Sequence, residues 1–167
     1  NGKNCDIVFW GDNPDEDIIS GDIYGGNISG SNISFENMKI KEQDRIDTGV
    51  GDSSAVEAVV RFANNAVVNF NGGEQAVRGT NSTLIVESGA IFTHVGSGNL
   101  QLRGEGEAFV VSNATARIGN IYVGNTVPQE QISMRIAGDS PLVEITEGVL
   151  SDFYITENNK KIECQMH

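Results

Sequence analysis

"LRGEGEAFVV" (residues 102–111) repeats the plan of "VRGTNSTLIV" (77–86). Both run apolar, any, Gly, four any, apolar, any, apolar, so Val77 matches Leu102, Gly79 matches Gly104, Leu84 matches Phe109 and Val86 matches Val111, 25 residues apart. "IAGDSPLVEI" (136–145) fits the same template through Ile136, Gly138, Val143 and Ile145, at an offset of 34. A smaller echo sets "NLQL" (99–102) against "NIYV" (120–123). The apolar-any-apolar ending is the period of a strand with one buried face, and the glycine marks a turn before it. Self-similarity at this spacing is the mark of a solenoid. Helical solenoids do not fit, because the apolar residues alternate over short runs that glycine keeps interrupting. A coil of three short strands and their turns needs roughly 20–25 residues. The expected fold is therefore all-β: a single-stranded parallel β-helix (β-solenoid), right-handed, with terminal capping strands. Each coil would hydrogen-bond to the next about 4.8 Å along the axis.

Working outward, "AVVRFANN" (58–65) is followed at once by "AVVNFNGG" (66–73). β-branched residues and a Phe bounded by Asn or Gly predict two strands joined by tight turns. A helix over 54–63 competes, since Ser54 and Glu57 have capping-box spacing, but the second copy is too rich in Asn and Gly to be helical. "NTVPQEQ" (125–131) reads as a loop inserted into one coil. "CDIVFW" (5–10) reads as an opening strand, and residues 149–164 as two closing strands around an Asn-Asn turn.

Residues 16–40 divide into fives, EDIIS, GDIYG, GNISG, SNISF and ENMKI, with Ile18, Ile23, Ile28, Ile33 and Met38 in the third place and Asp or Asn in the second. This pattern resembles the pentapeptide repeat, in which every fifth residue fills the axis of a square coil. The whole chain, 1–167, is then one solenoid domain: an N-terminal cap (1–15), a pentapeptide-like coil (16–40), β-helix coils (41–150) with the loop at 125–131, and C-terminal closing strands (151–167).

Composition narrows the function. The chain has 167 residues and a net charge of −12. That charge argues against nucleic acid, which needs clustered Lys and Arg, and no apolar run is long enough to span a membrane. Asp12, Asp15 and Asp17 crowd into one turn, "GDNPDED" (11–17). Hard oxygen ligands at loop spacing make them a candidate Ca²⁺ site, although the Gly and distal Glu of an EF-hand loop are missing and a solvated acidic turn explains them as well. No other cofactor is implied, and no ligand-binding or catalytic residue stands out. Arg78 and Arg103 hold the same template place and would form an outward basic ladder beside Glu105 and Glu107, while the third copy has Ala137 there. His94 sits alone in a predicted strand. The two cysteines, Cys5 and Cys164, lie near opposite ends of the sequence. In an oxidising compartment they would pair with each other or with a neighbouring subunit.

"FANNAVVNFNGG" (62–73) is similar to the F-x-x-N and GGA[IL] signals of polymorphic outer-membrane adhesins through Phe62, Asn65, Gly72 and Gly73, without the final Ala-Ile. The Gly-rich coils from 77 to 150 look like those of autotransporter passenger domains. The resemblance implies an extracellular or cell-surface protein with a structural or adhesive role, as a homo-oligomer or filament, with a carbohydrate or host-surface ligand. Two alternatives remain: an enzyme acting on acidic polysaccharides, as lyase or hydrolase, and a viral fibre segment.

Overall fold

The computed structural model describes residues 6–20, 23–24, 29–43, 46–47, 56–71, 75–124, 131–149, 153–157 and 160–164. Its strands are β1 (Asp6–Trp10), β2 (Ile18–Ser20), β3 (Ile23–Tyr24), β4 (Asn32–Glu36), β5 (Lys39–Gln43), β6 (Ile46–Asp47), β7 (Val59–Ala63), β8 (Val67–Asn71) and β9 (Gln75–Val77). They continue as β10 (Thr83–Glu87), β11 (Ile91–Leu102), β12 (Phe109–Ser112), β13 (Thr115–Val123), β14 (Ile132–Ala137), β15 (Leu142–Val149), β16 (Phe153–Glu157) and β17 (Lys160–Cys164). The described residues contain no helix long and apolar enough to cross a membrane.

Apart from β16 with β17, pairing is between coils and not between successive strands. One sheet runs β1-β4-β7-β10-β12-β14-β16-β17 and a second runs β15-β13-β11-β8-β5-β2. β9 pairs with the far half of β11, and β3 pairs with β6, giving a short third side. Every pairing is parallel except β16 with β17. The chain is an all-β solenoid, as the repeats predict.

The alternation of apolar residues sets the core. Register stacks Ile7, Ile33, Val60, Leu84, Phe109, Met134 and Ile155 in one row of the first sheet. Phe9, Phe35, Phe62, Val86, Val111 and Ile136 form the next inward row. The second sheet contributes Ile19, Ile40, Val68, Phe92, Ala116 and Val143. Within this core the rings touch: Phe9 stacks on Phe35 at 5.1 Å and Phe35 on Phe62 at 5.7 Å, while Phe92 lies 5.5 Å from both Phe70 and Phe109. Offset and tilted aromatic pairs add about 0.5–1.5 kcal/mol each beyond burial. Outside, Arg117 pairs with Glu144 at 2.8 Å, Arg135 with Glu107 at 2.8 Å, and Arg61 with Glu87. Each pair ties one coil to the next, and at this exposure each is worth under about 1 kcal/mol.

The corners explain the Asn and Gly content. Between the first and second sheets the chain turns through positive φ at Asn37 (50°), Asn64 (50°), Asn65 (65°), Ser88 (53°), Gly89 (80°), Asn113 (49°) and Gly138 (97°). Gly30, Glu57, Asn81 and Gly106 do the same at the corner that enters the first sheet. Only Gly, Asn and Asp adopt this region cheaply. Alanines follow the first corner: Ala66, Ala90 and Ala114 are buried, and the amides of Ile91, Thr115 and Leu142 donate to their carbonyls from the next coil. Corner side chains also serve backbone. Asn37 Nδ2 donates to the carbonyls of Gly11 and Asp12, both at 2.8 Å, and Asn113 Oδ1 accepts the amide of Asp139 at 2.7 Å. Asn113→Ala should lose this bond and force alanine into positive φ, lowering stability by about 1–3 kcal/mol. Asn113→Gly loses only the bond, so its thermal midpoint should fall between those of the alanine variant and wild type.

Two sequence expectations are corrected. The five-residue rule fails at Ile18, which is exposed in the outward row with Lys39, whereas its neighbour Ile19 packs on the core and pairs with Ile40. Ile33 and Phe35 are both inward, two residues apart, so β4 has the ordinary alternation of a strand, while Ile28 lies outside the described residues. The copy at 136–145 belongs to a different corner. Phe109 and Val111 pair with Met134 and Ile136, while Val143 and Ile145 pair with Ala116 and Ile118 in the second sheet. Of the expected N-terminal cap (1–15), residues 1–5 lie outside the described residues, and β1 is the last strand of its sheet. The other expectations agree with the register: Leu84 opposite Phe109, Leu102 opposite Val77, and Asn99–Leu102 opposite Asn120–Val123. The duplication at 58–73 forms β7 and β8, one in each sheet, joined at Asn64-Asn65, and the competing helix is absent there.

Candidate association surface

Among the described residues, no strand covers the β1 side of the solenoid. β1 and β2 are the last strands of their sheets, each paired on one side only among the described residues. Ile7 and Phe9 occupy inward rows, yet they are 41% and 43% exposed because nothing in the described chain stacks above them. The outward Val8 and Trp10 are 56% and 61% exposed, and Ile18 on β2 adds another apolar side chain. Exposed apolar area joined to a row of unpaired backbone groups is the usual template for strand addition.

The turn between these strands is well built. Asp17 Oδ2 accepts the amides of Asp12 at 2.6 Å and Asn13 at 2.9 Å, and Asn13 Oδ1 accepts the amide of Asp15 at 3.0 Å. The amide of Gly11 donates to Glu36 and that of Lys39 to Asp17, which locks the turn onto the next coil. One oxygen of the candidate Ca²⁺ ligand Asp17 is thus occupied by backbone, and Asp12 and Asp15 point to solvent. Among the described residues no three His, Cys, Asp or Glu side chains gather as a metal site. Asp6 lies at the same end, where its carboxylate accepts from Asn32 Nδ2 at 2.7 Å.

The other candidates are dispersed. Arg78 and Arg103 do follow one another on successive coils, but the next place after them is Gly124, not Ala137. Arg103 lies 5.6 Å over the Tyr122 ring, and Glu107 is taken by Arg135. His94 is buried in the ring stack, 5.4 Å from Phe70. The loop at 125–130 and His167 lie outside the described residues. So does Cys5, whose chain neighbour Asp6 begins β1, while Cys164 closes β17 at the opposite edge of the eight-stranded sheet. Seven strand spacings of about 4.8 Å separate those edges, roughly 34 Å. The exposure of Ile7 and Phe9 escaped sequence reading because they look like any inward pair. The only available signal was the absence of a polar residue at those two places.

No protein-family model, curated protein or solved structure matches the chain.

Proposed function

We propose that this protein is a structural β-solenoid that works outside the cell or at a cell surface and associates through the end carrying β1. The reading rests on one observation: among the described residues, Ile7 and Phe9 continue the buried rows of the core yet are 41% and 43% exposed, on a strand paired on one side only. Natural sheets protect such edges with charge, proline or a covering element. Here the sequence from Ile7 to Trp10 is wholly apolar. The likeness of the Gly-rich coils to surface solenoids and the cysteine near each end of the sequence fit an oxidising, external setting. A polysaccharide-active enzyme is the weaker reading, since Glu107 and Glu144, two of the carboxylates available on the coils, are engaged with Arg135 and Arg117.

The expected result is self-association of the purified chain, followed by sedimentation across a concentration series. Phe9→Lys puts a charge beside the exposed end of the core and removes the ring stacked on Phe35, so its fold is checked alongside its association. It should weaken association by about five- to thirtyfold, since covering the exposed faces of Ile7 and Phe9 is worth on the order of 1–2 kcal/mol. The far-ultraviolet spectrum should remain that of a β protein. A wild-type chain that stays monomeric at the highest attainable concentration would remove the proposal.

A further inference from the structure

We propose that Arg78 and Arg103, on adjacent coils, form a binding site for a single sulfate or phosphate group. The site uses no residue of β1 or β2 and is independent of the association surface. Its two arginines leave the chain at the same place on successive coils. They follow Val77 and Leu102, which are register partners, so their backbones lie one strand spacing apart, about 4.8 Å. Leu102 in turn pairs with Val123, so the next coil carries Gly124 at this place and no third side chain extends the row.

The other arginines have partners. Of the five arginines among the described residues, Arg61, Arg117 and Arg135 each pair with a glutamate of a neighbouring coil. Among the described residues the side chains of Arg78 and Arg103 have no ion pair, in a chain of net charge −12 and with Glu105 only two residues from Arg103. Two like charges on adjacent coils repel each other, and an anion held by both removes that repulsion.

Both groups are prepared for an acceptor. Arg78 is half-buried, and its Nε is shut off from water without a hydrogen-bond partner. A buried charged donor left unpaired is costly, and an anionic acceptor would make the bond. Arg103 is exposed but held in place. Its stem crosses Gly124, with Cγ 2.8 Å from where a Cβ would stand, and its guanidinium lies 5.6 Å over the Tyr122 ring. Stacking of this kind occupies the face of a guanidinium and leaves its N–H edge for a ligand. The two positions also choose the ligand. A carboxylate has two oxygens in one plane and fills one fork, whereas a sulfate or phosphate presents oxygens in several directions and can serve both arginines. A long polyanion would meet the chain's own negative charge, so one anionic group is favoured, either as the free ion or carried on a small molecule.

The test follows the arginine Nε–Hε signals of the ¹⁵N-labelled full chain in low-salt, phosphate-free buffer as sodium sulfate is added, against sodium chloride at matched ionic strength. The signals of Arg78 and Arg103 should shift together on one saturation curve, while those of Arg61, Arg117 and Arg135 stay in place. Arg78→Gln and Arg103→Gln should each weaken sulfate binding by about tenfold or more, the loss of a charge-assisted hydrogen bond. Arg117→Gln should leave it unchanged. Far-ultraviolet spectra check the fold of each variant, and the wild-type titration decides the matter alone if one of them does not fold. Glucose 6-sulfate separates the two sources: tighter binding than inorganic sulfate supports a group carried on a sugar, and equal or weaker binding supports the free ion. Acetate binding as tightly as sulfate would overturn the choice of a tetrahedral anion. Signals of Arg78 and Arg103 that move no more than those of the paired arginines would overturn the site itself.

Discussion

Replacing Phe92 by alanine should destabilise the protein by about 3–5 kcal/mol, the range for emptying a large aromatic site in a core. Phe92 is fully buried and is the ring on which the two sheets meet. It lies 5.5 Å from Phe70 on its own sheet, 5.5 Å from Phe109 and 6.2 Å from Phe62 on the facing one, and 6.5 Å from His94. Its neighbours are held by coil-to-coil hydrogen bonds on both sides, so they cannot close over the space. Urea unfolding followed by circular dichroism measures the loss. The control is Ile91→Ala, one residue away in the outward row and 40% exposed, which should cost under about 1 kcal/mol. A Phe92→Ala loss no larger than that of the control would mean that the ring is not in the core. Because each coil leans only on its neighbours, amide protection should fall first in β8, β11 and β12.

The second large effect belongs to Gly104. A Cβ built there meets the Gly79 carbonyl oxygen closer than real Cβ atoms approach, and comes within 3.2 Å of the Gly79 carbonyl carbon and 3.3 Å of that of Arg78. These are backbone atoms of the coil below and cannot rotate away. The neighbouring bonds from the Arg103 and Gly104 amides to the Val77 carbonyl, 2.7 and 3.0 Å, fix the spacing further. Gly104→Ala should therefore cost about 1–3 kcal/mol, and Gly104→Val more, as forced overpacking does. Arg103→Ala, next to it and exposed, should change the unfolding midpoint little. An alanine at position 104 tolerated as well as one at 103 would show that the coils are further apart there.

Gly104 also shows how far sequence reading carries. Its match to Gly79 is spatial as well as textual: the two glycines lie on adjacent coils at the same corner, and the pairs Leu84–Phe109 and Val86–Val111 that follow are register partners. The match of Gly104 to Gly138 is textual only. Strand, glycine turn and strand read alike at every corner of a solenoid, because the same positive-φ requirement and the same inward alternation apply at each. A template of ten residues therefore finds corners without saying which one. Residues 16–40 misled for a related reason. Isoleucine suits both faces of a strand at a coil edge, so Ile18 looked inward on spacing alone when Ile19 is the residue that packs.

The sequence by itself determined that the chain coils. Alternating apolar residues, breaks of Gly and Asn, and a 25-residue echo leave few other ways to bury one face of many short strands. Only the tertiary structure decided which residues face each other across the axis, how His94 comes to lie among phenylalanines, and that among the described residues Ile7 and Phe9 stay exposed while Asp6 and Cys164 stand at opposite edges of a sheet. The physical reason is range. Turn chemistry and alternation act over a few residues and are written locally, whereas exposure at an end depends on what lies one coil away.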